Sequence, residues 1–136
     1  MSLILVKIDY LGNSNVLAVV ADLFFSAKIN EAAKHAGVTI RYGTAEKDLL
    51  DKAASNPALI VFDLNFDAAH PLDLICKLKG NAALKHIRLL GYLSHVQTEL
   101  KLKAEASGCD LVMPRSAFSM NLPEILKSHA SPADTE

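Results

Sequence analysis

Four residues stand where their types could do chemistry together: Asp22, Asp63, Ser94 and Arg115. Each follows the end of a short apolar run, at Ala21-Asp22, Phe62-Asp63, Leu93-Ser94 and Met113-Pro114-Arg115. Two carboxylates brought into one crevice are hard oxygen ligands for a divalent cation. The planar fork of an arginine can bridge the same two carboxylates, which makes a salt bridge instead. Each residue alone also has an ordinary role. Aspartate after a strand forms turns or caps helices, Ser94 can cap a helix starting near Val96, and Arg115 can be solvated. It is their joint occurrence at four strand ends that singles them out.

The elements that must position them follow from the hydrophobic pattern. Runs over residues 16–21, 38–42, 58–62, 87–93 and 111–113 read as strands, and the central ones are apolar throughout, as in strands buried on both faces. Between and after them, residues 25–35, 45–55, 72–78, 97–106 and 122–127 read as helices. Gly37 sits where a helix C-terminus favours glycine, Thr44 is an N-cap residue type, and Asn121 with Pro123 reads as a cap and first turn. The alternation predicts an α/β fold with a flavodoxin-like, doubly wound, five-stranded parallel sheet in the order 2-1-3-4-5. In such a sheet the functional crevice lies beyond the carboxyl ends of the strands.

The composition agrees with this plan. The chain has 136 residues, of which 51% are hydrophobic, with a formal charge of −1. That length suits one domain of roughly 100–150 residues, read as a domain over 16–130 with an N-terminal extension 1–15 and a polar tail 131–136. A mean hydropathy of +0.22 excludes a disordered chain. Near-zero charge and few aromatic residues argue against a nucleic-acid partner. No apolar stretch approaches the roughly 20 residues of a membrane span. Lys7 and Asp9 interrupt the N-terminal apolar run, which rejects a signal peptide. Cys76 and Cys109 form no CxxC pair, so a reduced cytoplasmic setting is the simplest reading. Cys76 is expected in the core on its helix, and Cys109 as a loop thiol.

On these residues the chain resembles the receiver domains of bacterial two-component response regulators, from about residue 16 to 127. Asp63-Leu64-Asn65 matches the phosphoacceptor motif Asp-x-Asn, and Ser94 falls at the conserved Ser/Thr. Arg115 falls at the conserved lysine, and Asp22 matches the second of two acidic residues after the first strand. Gly108-Cys109-Asp110 is similar to the Gly-Ala-Asp before the last strand. The resemblance implies a cytoplasmic, non-enzymatic phosphorelay signalling module whose phosphotransfer is limited to its own modification by a kinase or an acyl phosphate. It implies Asp63 as the phosphoacceptor, Ser94 and Arg115 as the groups that meet the phosphoryl, and magnesium held by Asp22, Asp63 and the carbonyl of Asn65. The implied partners are a histidine kinase or another signalling protein, and a weak homodimer through the fourth helix, fifth strand and fifth helix.

Several positions depart from that pattern. Ala21 replaces the first acidic residue, Arg115 the lysine, and Ser116 the proline that follows the lysine in a cis bond. Val112 stands at the aromatic switch position, Asp67 at a turn proline and Pro71 at a glycine. Two readings therefore stand. One is a working receiver with magnesium-dependent phosphorylation of Asp63. The other, which the departures favour, is an atypical or pseudo-receiver that acts by protein–protein contact, with magnesium weak. In the second, Arg115 occupies the volume of the metal and pairs with Asp22 or Asp63. A third class, a small flavodoxin-like enzyme or ligand-binding domain, has no motif behind it: GxGxxG, GxxxxGK[ST] and GxSxG are all absent. The five histidines show no metal-ligand spacing, and of them His95 alone falls near the crevice. Residues 3–8 lie outside the family plan, as an extra edge strand or an arm on a second copy. A register making 3–8 the first strand would need one helix from Asn15 to His35.

Overall fold

The computed structural model describes residues 15–95 and 97–129. The extra strand expected over 3–8 and the tail 131–136 lie outside these residues. Five parallel strands, β1 (Asn15–Val19), β2 (Thr39–Tyr42), β3 (Leu59–Asp63), β4 (Leu89–Leu93) and β5 (Leu111–Pro114), form one sheet in the order β2-β1-β3-β4-β5. The helices are α1 (Leu23–Ala36), α2 (Glu46–Ala53), α3 (Pro71–Lys79), α4 (Thr98–Ser107) and α5 (Arg115–Ser128), with a 3-10 turn at Asp67–Ala69. The expected fold class and strand order are those of the structure. The one-helix register is overturned, because Asn15 opens β1 and pairs in register with Thr39.

Strand alternation sorts the core into two layers. Leu17, Val19, Ile60, Phe62, Leu89 and Leu93 face one side, where Leu49, Leu74, Ile75, Leu78 and Ala104 of α2, α3 and α4 cover them. Val16, Ala18, Leu59, Val61, Leu90 and Tyr92 face the other. There they pack on Phe25, Ile29 and Ala33 of α1 and on Phe118, Leu122 and Leu126 of α5. Asp63 lies two residues beyond Val61, and its register neighbour across the sheet is Tyr92. Both side chains therefore leave the sheet on the α1–α5 side.

Local expectations fare unevenly. Gly37 closes α1 at φ 73°, in the left-handed region where glycine has no Cβ cost, and its N–H donates to the Ala33 carbonyl. Thr44 is not the cap of α2; the cap position is Ala45, with no side-chain bond. Ser94 does not cap α4 either, since that helix starts at Thr98 with Gln97 before it. The last helix begins at Arg115, seven residues before Leu122. Phe118, Leu122 and Leu126, spaced by four, carry one apolar stripe through Pro123. Asn121 is accordingly inside the helix, where its Nδ2 donates to the Ala117 carbonyl.

Of the two cysteines, Cys76 departs from its expected place. Cys76 is exposed, because Leu74, Ile75 and Leu78 take the inward stripe of α3. Cys109 lies in the loop between α4 and β5, as expected, but is buried against the core there, and burial pushes its thiol up to about 11.

Gly91 marks a tight contact at the centre of β4. A Cβ there would lie 2.8 Å from Leu64 Cδ1 and 2.9 Å from Leu64 Cγ, and Leu64 is itself buried. Gly91→Ala is expected to destabilise the fold by about 1–2 kcal/mol through overpacking, measured by urea denaturation; an unchanged midpoint would show that Leu64 has room to move.

Candidate functional site

All the singled-out residues lie at the carboxyl edge of the sheet. Asp63 ends β3, Ser94 follows β4, Arg115 follows β5, and Asp22 lies between β1 and α1. Asn65 is two residues past β3.

Asp22 caps α1. Its Oδ1 accepts from the N–H of Phe24 at 2.9 Å and of Phe25 at 3.2 Å, so the ordinary role of a post-strand aspartate is filled. Its other oxygen, Oδ2, is 3.9 Å from Arg115 Nη1. The expected contact of Arg115 is thus made with Asp22, at the long end of an ion pair. The position of the guanidinium has a further cause. Its Cζ lies 5.3 Å from the centre of the Phe25 ring and 5.9 Å from that of Tyr92, where a planar cation is attracted to the ring faces. Phe25, Tyr92 and Phe118 form one aromatic cluster beneath it, with Tyr92 and Phe118 stacked at 5.0 Å.

Arg115 reaches this place because β5 passes into α5 without a loop. Pro114 is extended, at φ −63° and ψ 151°, and Arg115 is the first helical residue. No peptide bond among the described residues is cis.

Asp63 is the buried charged residue of the described chain, 6% exposed. One carboxylate oxygen, Oδ1, accepts from the N–H of Asn65 at 2.9 Å. Burial raises its pKa above the usual carboxylate range, and the charges of Asp22 and Asp67 add to that; the Asn65 N–H and the Arg115 cation act against it. Asn65 spans the gap to the next strand end, its Oδ1 accepting from the N–H of Ser94 at 2.7 Å. The Asp-x-Asn motif therefore ties β3 to the β4 turn through the third residue of the motif. Ser94 itself is exposed.

The resemblance implies magnesium, and the donor set is thin for it. Among the described residues no group of three His, Cys, Asp or Glu side chains could hold a metal ion. Ala21 supplies no ligand. Asp22 is engaged by the α1 N-terminus and by Arg115. Asp67 bears on Asp63 through its charge, without making a third ligand of the group. Magnesium demands near-octahedral oxygen ligation, and one carboxylate not engaged by a cation is a poor start.

One part of the site was not expected. Tyr92 is fully buried, yet among the described residues its hydroxyl has no hydrogen-bond partner, and neither has the buried Nε of Arg115. Burial and the charge of Asp63 push the phenol well above its usual range. A signal for Tyr92 existed, since it stands two residues before Ser94 and shares the face of Asp63 by alternation.

No protein-family model matches the chain, and no curated protein does at the level of sequence. Solved structures do match in shape. A response regulator from Hahella chejuensis superposes with a TM-score of 0.73 at 16% identity, over 82% of this chain and 91% of that one. The chemotaxis response regulator CheY4 of Vibrio cholerae gives 0.71 at 17%, over 84% and 96%. The phosphorylated cyanobacterial phytochrome response regulator RcpA gives 0.70 at 18%, over 84% and 89%. The fold is that of response-regulator receiver domains. No described helix is long and apolar enough to cross a membrane.

Proposed function

We propose that this chain is an atypical receiver domain, a signalling module that works by binding other proteins rather than by magnesium-assisted phosphorylation. The observation that carries this reading is the Arg115 guanidinium, held over the Phe25 and Tyr92 rings and paired with Asp22. With Ala21 beside it, one metal carboxylate is missing and the other is occupied by a fixed cation. Arg115 then offsets the charges of Asp22 and Asp63, the work a metal would do. The pocket becomes a structural part of the domain, and its surface does the signalling.

The test is incubation with acetyl phosphate and magnesium, followed by intact mass. The expected result is an unchanged mass and magnesium affinity weaker than millimolar, as few uncommitted ligand charges would give. A gain of one phosphoryl group, abolished by Asp63→Asn, would instead establish a working receiver. That second reading has support in the Asp63–Asn65–Ser94 connection. In it Asp63 accepts the phosphoryl group from a histidine kinase, Ser94 reports it and Arg115 holds it. Asp22, Asp63 and the Asn65 carbonyl would be the ligands of a weakly held magnesium ion.

A homodimer belongs to the same reading. Leu102 on α4 and Leu111 on β5 are 60% and 45% exposed, large apolar groups on the face formed by α4, β5 and α5. Weak to moderate self-association is expected there. Sedimentation at high micromolar concentration checks it, with Leu102→Lys shifting the chain to monomer; a wild-type monomer at that concentration would remove the dimer from the reading.

A further inference from the structure

Beyond the strand ends, on the α2–α4 side of the sheet, a cleft of about 390 Å³ opens between the start of α3 and α4. Its volume lies within the range of small-ligand sites, roughly 300–1,000 Å³. Leu64, Pro71 and Leu100 give it an apolar lining, while Asp67, His70 and Asp73 are the polar ones.

Among the described residues, the charge of this lining is not offset by a neighbouring lysine or arginine. Six acids of the described chain have a lysine or arginine within ion-pair distance: Glu46, Asp48, Asp110, Glu105, Glu99 and Asp22. Asp67 and Asp73, like Asp51, Asp63 and Glu124, have none among the described residues, and these two line the cleft. Two uncompensated carboxylates beside an apolar surface match one ligand chemistry, a single positive charge carried on an apolar body.

The wall is preformed. Leu64 is buried and seated against Gly91, with no room for a further methyl group between them. The same residue lies between Asp63 and Asn65, and the Asn65 side chain is bonded to the N–H of Ser94. A ligand on Leu64 therefore sits one residue from either end of the β3–β4 connection.

We propose that this cleft is a binding site for a small organic cation, an amine on an aromatic or aliphatic body, with Leu64, Pro71 and Leu100 taking the body and Asp67 and Asp73 the charge. The site goes beyond the signalling reading and does not depend on how Asp63 is used.

The test uses 4-phenylbutylamine as the probe and its anionic counterpart 4-phenylbutyrate as the control, with methyl NMR of the wild-type chain in EDTA. The expected result is saturable, millimolar shifts of the Leu64 and Leu100 methyl groups by the amine, with the amide of Ser94 following. The anion should bind at least tenfold more weakly. Asp67→Asn with Asp73→Asn should weaken the amine about tenfold, at roughly threefold for each exposed charge. Absence of saturable shifts, equal binding of amine and anion, or an unchanged affinity in the doubly substituted protein would each overturn the proposal. Because magnesium and a phosphoryl donor are both absent, failure here leaves the acetyl phosphate result standing by itself.

Discussion

In a chain carrying both Ala21→Asp and Arg115→Lys, thermal stability is expected to become magnesium-dependent. The first substitution adds a carboxylate beside Asp22 and Asp63. The second replaces a planar fork, held over the Phe25 and Tyr92 rings, with a point charge on a flexible stem. Without metal the three carboxylates repel one another, so this protein starts less stable than the wild type. Magnesium that binds only the folded state reverses the order. At 100 times its dissociation constant it contributes about 2.7 kcal/mol, a rise in Tm of about 10 °C for a domain of this size. The wild type should move by no more than about 1–2 °C, the scale of charge screening. The altered protein is also the form in which acetyl phosphate should modify Asp63. A melting temperature indifferent to magnesium would show that Ala21 and Arg115 are not what sets the metal affinity.

The architecture was legible because the strands are short apolar runs separated by turn residues, and both layers of the core need such runs. Ends were less legible. Pro123 reads as a first turn, yet the stripe Phe118, Leu122, Leu126 runs past it, and packing on α1 outweighs the local signal of a proline. Cys76 turned out exposed because three apolar neighbours decide which stripe of α3 turns inward. That competition lies in the whole helix and not in the cysteine.

The candidate site divides in the same way. Strand ends bring Asp22, Asp63, Ser94 and Arg115 to one edge, which topology alone dictates. The aromatic cluster below them does not follow from strand ends. It depends on Phe25, Tyr92 and Phe118 meeting across three elements. Arg115 is best understood from that cluster: its planar guanidinium can stack on the ring faces, which a lysine ammonium cannot do. The cleft was equally hidden, since its lining comes from α4 as well as from the turn after β3.

Arg115→Ala should cost about 2–3 kcal/mol at neutral pH, and the cost should fall when Asp63 is neutral. Two causes add. The guanidinium leaves the faces of Phe25 and Tyr92, worth about 1 kcal/mol at a half-exposed position. Its charge no longer offsets Asp63, whose carboxyl burial already raises above the ordinary range. The sign follows from proton linkage. A carboxyl with a raised folded pKa holds its proton more tightly when folded, so its stability is full below the unfolded carboxylate range. That stability is lost as pH rises through the folded value. Removing Arg115 takes away an influence that lowers that value, so the loss extends to higher pH and deepens. Asp63→Asn removes the ionisation altogether and should stabilise the domain at pH 7, where the buried carboxylate is charged against its raised pKa. In the Asp63→Asn background, Arg115→Ala should cost only the ring contact and the long, partly exposed pairing with Asp22, together about 1 kcal/mol. Urea denaturation of the four proteins, repeated at acidic and neutral pH, measures the coupling. An Arg115→Ala cost that is the same at both pH values and in both backgrounds would mean that Asp63 is not among the charges Arg115 offsets.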